Sequence, residues 1–159
     1  VAMGYDLAPS ANLPAIVAQV TAGVAAAKQL LCGDGQQLVV AGSSAGAHLA
    51  AMVGRSVAVD RLVLLSGVFD LRPLVETYVN DALGMDAETA AEMSPLLLDG
   101  PFGPTVTIAW GENETDAFKE QSQRFARVLG AEGTAVTATE VAGRNHFDVV
   151  HDLVRIVTE

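Results

Sequence analysis

The sequence predicts an α/β fold, a mostly parallel sheet covered by helices, and three observations carry that reading. Apolar, β-rich runs alternate along the chain with helix-forming stretches, and each run is closed by Gly, Pro, Asp or Asn. Hydrophobic residues make up 50% of the chain while aromatics make up 5%, the balance expected of aliphatic strands buried on both faces. One of the runs leads through a Gly-containing turn directly into a helix of small residues. A chain of 159 residues has room for one domain with a sizeable core, so residues 1–159 are read as a single domain.

Strands are expected at Val1–Tyr5, Leu38–Ala41, Arg61–Ser66, Thr105–Trp110 and Ala135–Val141. Helices are expected between them: the Ala-rich Ile16–Leu31, then Ala45–Arg55, then Asp116–Leu129 with apolar positions at Phe118, Phe125, Val128 and Leu129, and Phe147–Val157 to close the chain. Strands separated by helices pair in parallel. The uncharged stretch Leu7–Ala27 is interrupted by Pro9, Ser10, Asn12, Pro14, Gln19 and Thr21, so it reads as a loop and a buried helix rather than a membrane span. The connection from Ser66 to Thr105 contains Pro73, Pro95, Pro101 and Pro104 and two short helix-like pieces. Such an excursion, at about 69–104, is expected to form a lid or pocket wall. Val1 lies inside an apolar stretch with no initiator Met or charged leader before it. The expectation is a C-terminal portion of a domain whose N-terminal strands are missing.

Nineteen acidic residues against nine basic ones give a formal charge of −10. That balance repels phosphate backbones and anionic lipid, so neither nucleic acid nor a membrane is expected as a partner. The single cysteine, Cys32, cannot form an internal disulfide, and His48, His146 and His151 show no zinc-ligand spacing. A reducing, cytoplasmic setting without metal is expected.

The segment carrying most chemistry is Val39-Val40-Ala41-Gly42-Ser43-Ser44-Ala45-Gly46-Ala47-His48, a GxSxG pattern centred on Ser44 between a strand and a helix. This is the context of the nucleophile elbow of an α/β-hydrolase, in which the serine sits on a strained turn and its neighbours, here Gly42, Ala45, Gly46 and Ala47, must be small. His48, one turn into the helix, is expected to point away and pack. A serine hydroxyl needs a base, and His146 follows a short strand and the Ala142-Gly143-Arg144-Asn145 turn, where the order Ser, acid, His places one. His151 is the weaker choice. The acid belongs in the loop Trp110-Gly111-Glu112-Asn113-Glu114-Thr115-Asp116, where Glu114 is the first choice and Asp116 its rival; Asp70, after the preceding strand, is a third. Asp148 is too near His146 in sequence to orient its ring. The backbone N–H of Ala45 can supply one oxyanion donor. A second usually comes from an HGG-type loop, and no such motif occurs in this chain.

Several segments together resemble the kynurenine formamidase (arylformamidase) family of α/β-hydrolases: GSSAGAHLAAM at the elbow, LLSGVFDLRPLVETYVNDALG through the excursion, EMSPL after it, GENETDAFKEQSQRF around the acid and GRNHFDVV around the histidine. SGVFDLRPLV and the FKEQS helix are the more specific of these. The strand Val1–Tyr5 with Asp6-Leu7-Ala8-Pro9 is similar to the segment that follows the family's HGG loop. The resemblance implies Ser44 as nucleophile, His146 as base and, aligned through Phe118, Glu114 as acid. That acid is often Asp in the family, which keeps Asp116 in contention. Tyr78 and Asn80 become candidate pocket residues. The implied activity is hydrolysis of N-formyl-L-kynurenine in tryptophan catabolism, without a cofactor, with a homodimer as candidate assembly. Two alternatives are a short-acyl carboxylesterase with the same triad and a non-catalytic binding module on the same fold.

Overall fold

The computed structural model describes residues 1–158. Its helices are α1 (Leu13–Leu31), α2 (Ala45–Ser56), α3 (Asn80–Leu83), α4 (Ala87–Glu92), α5 (Asp116–Ala131) and α6 (Leu153–Thr158). Its strands are β1 (Val39–Ser43), β2 (Arg61–Leu65), β3 (Thr105–Gly111) and β4 (Ala135–Val141). The strands form one sheet in the order β1-β2-β3-β4, parallel throughout, with Val39 beside Arg61, Leu62 beside Val106 and Thr105 beside Ala135.

The period-two alternation of strands sorts the core into two clusters. Leu62 and Leu64 of β2, with Val106, Ile108 and Trp110 of β3, join α1, α2 and α5 in the larger one. Val63, Leu65, Ala109 and Val141 face the other way and are covered by Val149 and by Ile156 of α6. Phe125 of α5 stacks on Phe69 with centroids 4.3 Å apart and meets Phe102 edge-on at 5.1 Å. The excursion is therefore packed down: its Phe69, Leu71, Met85, Ala90, Leu96 and Phe102 are all buried in the larger cluster.

The structure corrects the expected elements in three places. The segment 1–5 is not a strand. Val1, Met3 and Tyr5 line one apolar groove together with Leu38, Val39 and Val40 at the edge strand β1, and the segment forms no ladder with that strand. Helix α1 starts at Leu13, with the Asn12 side chain accepting from the Ala15 N–H at 3.0 Å. Pro14 lies in its first turn, where its missing N–H costs nothing. Only the stripe Leu13, Ile16, Val20 and Val24 is buried, while Leu30 and Leu31 at the far end are exposed, so α1 is half-buried rather than buried. The closing helix is broken: Asn145 and Asp148 form a hydrogen-bonded loop, a 3-10 turn spans Val149–Asp152, and regular helix begins at Leu153.

Candidate active site

Ser44, Glu114 and His146 all follow the carboxyl ends of strands, which is where a parallel α/β sheet offers a crevice. Ser44 follows β1. Its N–H donates to Leu65 O at 2.8 Å, carrying the β1–β2 ladder one bond further, and the chain then turns through φ 56° and ψ −121° into α2. A non-glycine residue there costs about 1–3 kcal/mol and persists only when its surroundings impose it. The imposition is visible at Gly42, where a Cβ would lie 2.1 Å from the Gly46 carbonyl oxygen and 2.7 Å from the Ala47 nitrogen. Only glycine fits. Gly46 is under no such constraint, since a Cβ there would meet nothing within 4 Å. Ala45 is the first residue of α2, where a helix leaves its N–H groups without intrahelical acceptors.

Ser44, His146 and Glu114 come together in one hydrogen-bonded line. Ser44 Oγ lies 3.0 Å from His146 Nε2, and His146 Nδ1 lies 3.1 Å from Glu114 Oε2. A carboxylate only accepts, so the ring proton facing Glu114 resides on Nδ1 and leaves Nε2 to accept from the serine hydroxyl. The Glu114 side chain is fully buried, the His146 side chain is 20% exposed, and Phe118 packs against the imidazole at 4.1 Å. Glu114 is folded back over its own turn: Oε1 accepts from the Gly111 N–H at 2.6 Å and from the Ser66 hydroxyl. The acid and histidine loops are locked to each other by three hydrogen bonds. Glu112 N–H donates to Val141 O at 3.0 Å, Asn113 N–H donates to Arg144 O at 2.7 Å, and Gly143 N–H donates to Glu112 Oε2 at 2.7 Å.

The remaining candidates lie elsewhere. Asp70 is buried and paired with Arg72 at 2.7 Å and with Arg124 at 3.9 Å; the hydrogen bond from Arg72 holds its carboxyl below the usual carboxylate range. Asp116 is exposed at the start of α5. Asp148 accepts from Asn145, and His151 is exposed in the 3-10 turn. His48 is turned away from Ser44 and donates from Nε2 to Met93 O at 2.7 Å, tying α2 to the end of α4. Asn80 closes its own loop, giving both amide hydrogens to Val75 O and Met85 O and accepting from the Met85 N–H. Those bonds leave its side chain committed, while Tyr78 is 84% exposed. Two residues at the site escaped the sequence reading. Ser66 carried no local motif. Phe147, 86% exposed and edge-on to His146 at 5.5 Å, could have been found as an aromatic next to the candidate base. Among the described residues no group of three or more His, Cys, Asp or Glu is placed to hold a metal ion.

A parallel sheet with a strained Ser elbow, a histidine and a buried carboxylate is the arrangement of the α/β-hydrolases. Residues 1–99 match the family described as alpha/beta hydrolase fold, and the chain belongs to it. Within that fold it is similar to the kynurenine formamidase of Salmo salar, 33% identical over 168 residues, and to that of Danio rerio, 33% identical over 167. Each of these matches covers 97% of this chain and 57% of the relative, so the chain spans little more than half the length of these curated proteins. Among solved structures, a Silicibacter sp. tm1040 protein provisionally called a thioesterase superposes with a TM-score of 0.81 at 28% identity, covering 98% of this chain and 62% of that one. An esterase from Pyrobaculum calidifontis superposes with a TM-score of 0.72 at 20% identity over 97% of this chain and 62% of that one, a likeness of fold. The fold and these relatives are those of hydrolases.

Proposed function

We propose that the chain carries a serine-hydrolase centre that cleaves N-formyl-L-kynurenine to formate and L-kynurenine. Ser44 is the nucleophile, His146 the general base and acid, Glu114 the carboxylate that orients His146, and the Ala45 N–H one oxyanion donor. The observation that supports this reading above any other is the continuous line Ser44 Oγ, His146 Nε2, His146 Nδ1, Glu114 Oε2, with steps of 3.0 and 3.1 Å. A binding module has no physical need for all three groups in register. The choice of substrate rests on the similarity to kynurenine formamidases.

Ser44 Oγ attacks the formyl carbon while Nε2 takes its proton, and the carbonyl electron pair moves onto oxygen. That charge faces the Ala45 N–H at the positive end of α2. Collapse breaks the C–N bond as Nε2 returns the proton to the aryl nitrogen, releasing L-kynurenine and leaving formyl-Ser44. Water then gives a proton to Nε2 and attacks the same carbon, and formate leaves as Ser44 regains its proton. Glu114 accepts from Nδ1–H throughout, fixing the tautomer and offsetting the imidazolium charge. An aryl amine leaves more readily than an alkyl amine, so the same machinery handles activated esters.

The test uses the full-length protein. Ser44→Ala should abolish turnover and labelling by a serine-directed phosphonate, while Ser43→Ala retains much of both. Glu114→Gln should lower kcat by about 10²-fold or more, with Asp116→Asn and Asp70→Asn doing less. Labelling of Ser43, or of no serine, refutes the nucleophile; a larger loss at Asp116 or Asp70 moves the acid there. A higher kcat/KM on short aryl esters than on N-formylkynurenine replaces the substrate with an ester.

A further inference from the structure

Two residues other than glycine have positive φ among the described residues, and both are serines at the ends of adjacent strands: Ser44 at 56° and Ser66 at 49°. Their backbones behave alike. Ser44 N–H continues the β1–β2 ladder to Leu65 O, and Ser66 N–H continues the β2–β3 ladder to Ala109 O, each at 2.8 Å, before the chain turns. Glycine is the residue that adopts such a φ at no steric cost, and the chain places glycine at the very next position, Gly67. A serine held at a strained φ in a fully buried site therefore asks for a role that only its side chain performs.

The Ser66 hydroxyl has one. It donates to Glu114 Oε1, the same oxygen that accepts from the Gly111 N–H at 2.6 Å, while Oε2 faces His146 Nδ1 at 3.1 Å. The carboxylate is held at one oxygen by two donors at the ends of two neighbouring strands and offers the other to the imidazole. With the Glu114 side chain fully buried, no solvent can replace a lost donor. Removing the Ser66 hydroxyl leaves Oε1 tethered only through its own turn, and the carboxylate becomes free to rotate away from His146.

We propose that Ser66 is a positioning residue for the reaction, clamping the Glu114 carboxylate in the plane that orients His146. This rests on the reading of Glu114 as the acid. Ser66 touches no substrate and acts only through Glu114, which separates it from a merely structural core serine.

The experiment is a double-mutant cycle in the full-length protein with Ser66→Gly, Glu114→Gln and the two combined. Glycine accepts the backbone φ of 49°, so the change removes the hydroxyl without adding strain. A hydrogen bond to a charged group is worth roughly 1.5–3 kcal/mol, which sets the expected fall in kcat at about tenfold or more with KM unchanged. The rate of Ser44 labelling by a phosphonate should fall in parallel, and circular dichroism should show the fold retained. In the Glu114→Gln background the same change should cost nothing further, because the clamp has no carboxylate to hold. A Ser66→Gly protein within twofold of wild type in kcat, or a loss that adds in full to that of Glu114→Gln, overturns the clamp and leaves the triad standing. Wild-type turnover in Glu114→Gln alone overturns the acid assignment and the clamp with it.

Discussion

At Gly111 the end of β3 packs directly against the backbone that precedes His146, and a methyl group placed there should push the acid and histidine loops apart. Gly111 ends β3 at a φ outside the left-handed region, so alanine suits its backbone. Its Cβ, however, would lie 2.5 Å from Arg144 O, 2.7 Å from Arg144 C and 3.0 Å from Asn145 N, all of them main-chain atoms that cannot rotate aside. Ordinary contact begins at 3.4 Å, so the backbone immediately before His146 must withdraw by about 0.9 Å. The Asn113 N–H bond to Arg144 O, 2.7 Å in the native loop, stretches with it. A displacement of that size takes the His146 contacts with Glu114 and Ser44 beyond hydrogen-bonding range, and misplacement by about 1 Å costs on the order of 10²-fold in rate. Overpacking of this kind also destabilises by about 1–3 kcal/mol. Gly111→Ala should therefore lower kcat by about 10²-fold with KM nearly unchanged, slow phosphonate labelling of Ser44 in proportion, and lower Tm by several degrees. A variant with kcat within threefold of wild type and an unchanged Tm would refute the reasoning, because it would show that the two loops are not in rigid register.

Two further outcomes follow from buried side chains. Burial pushes the pKa of His48 below its usual 6.5, opposed in part by its bond to Met93 O. The unfolded chain then takes up a proton below pH about 6.5 that the native state resists, so stability is full above that pH and falls as pH drops, by at most about 1.4 kcal/mol per pH unit for this group. Urea unfolding at pH 7.5 and 5.5 should show that slope, and His48→Gln should flatten it; an identical slope in the variant would remove His48 as its source. Phe125 is fully buried between Phe69 and Phe102, so Phe125→Ala should cost about 3–5 kcal/mol in chemical denaturation and loosen the excursion from the sheet, whereas a loss under 1 kcal/mol would mean that the three rings do not form one packing unit.

What the sequence disclosed was what its local patterns encode. The strand Ala135–Val141 and the start of α5 at Asp116 match the expected bounds, because periodicity and turn residues act within a few positions. The elbow was legible for the same reason: Gly42, Ser44 and Gly46 lie within one turn. Failures came where a local signal had two meanings or the deciding partner was distant. Pro14 read as an interruption, yet it sits inside the first turn of α1. Segment 1–5 has strand-like composition and no adjacent ladder. Asp70 and Glu114 both follow strands, and what separates them is Arg72 two residues from one and His146 thirty-two residues from the other. Ser66 lies forty-eight residues from the carboxylate that it holds, and no spacing rule reaches that far.

The distribution of these contacts also says how the candidate site resists disturbance. Glu114 and His146 belong to loops joined by two backbone bonds and by one from Gly143 N–H to the Glu112 carboxylate, so they move together as one body. Ser44 belongs to a second body, the β1 elbow, which is fixed by Gly42 packed under Gly46 and by the bond from Ser44 N–H to Leu65 O. Strand β2 lies between the two, and its end serves both sides: Leu65 accepts from the elbow, and Ser66, the next residue, reaches the acid. Within β2, Leu62, Val63, Leu64 and Leu65 are all fully buried, so the strand is packed on both faces. The distance from nucleophile to base is thus set by how β2 seats its neighbours rather than by side-chain freedom in the loops. Reduced packing at β2 should consequently be felt at the Ser44–His146 contact before it is felt within either loop.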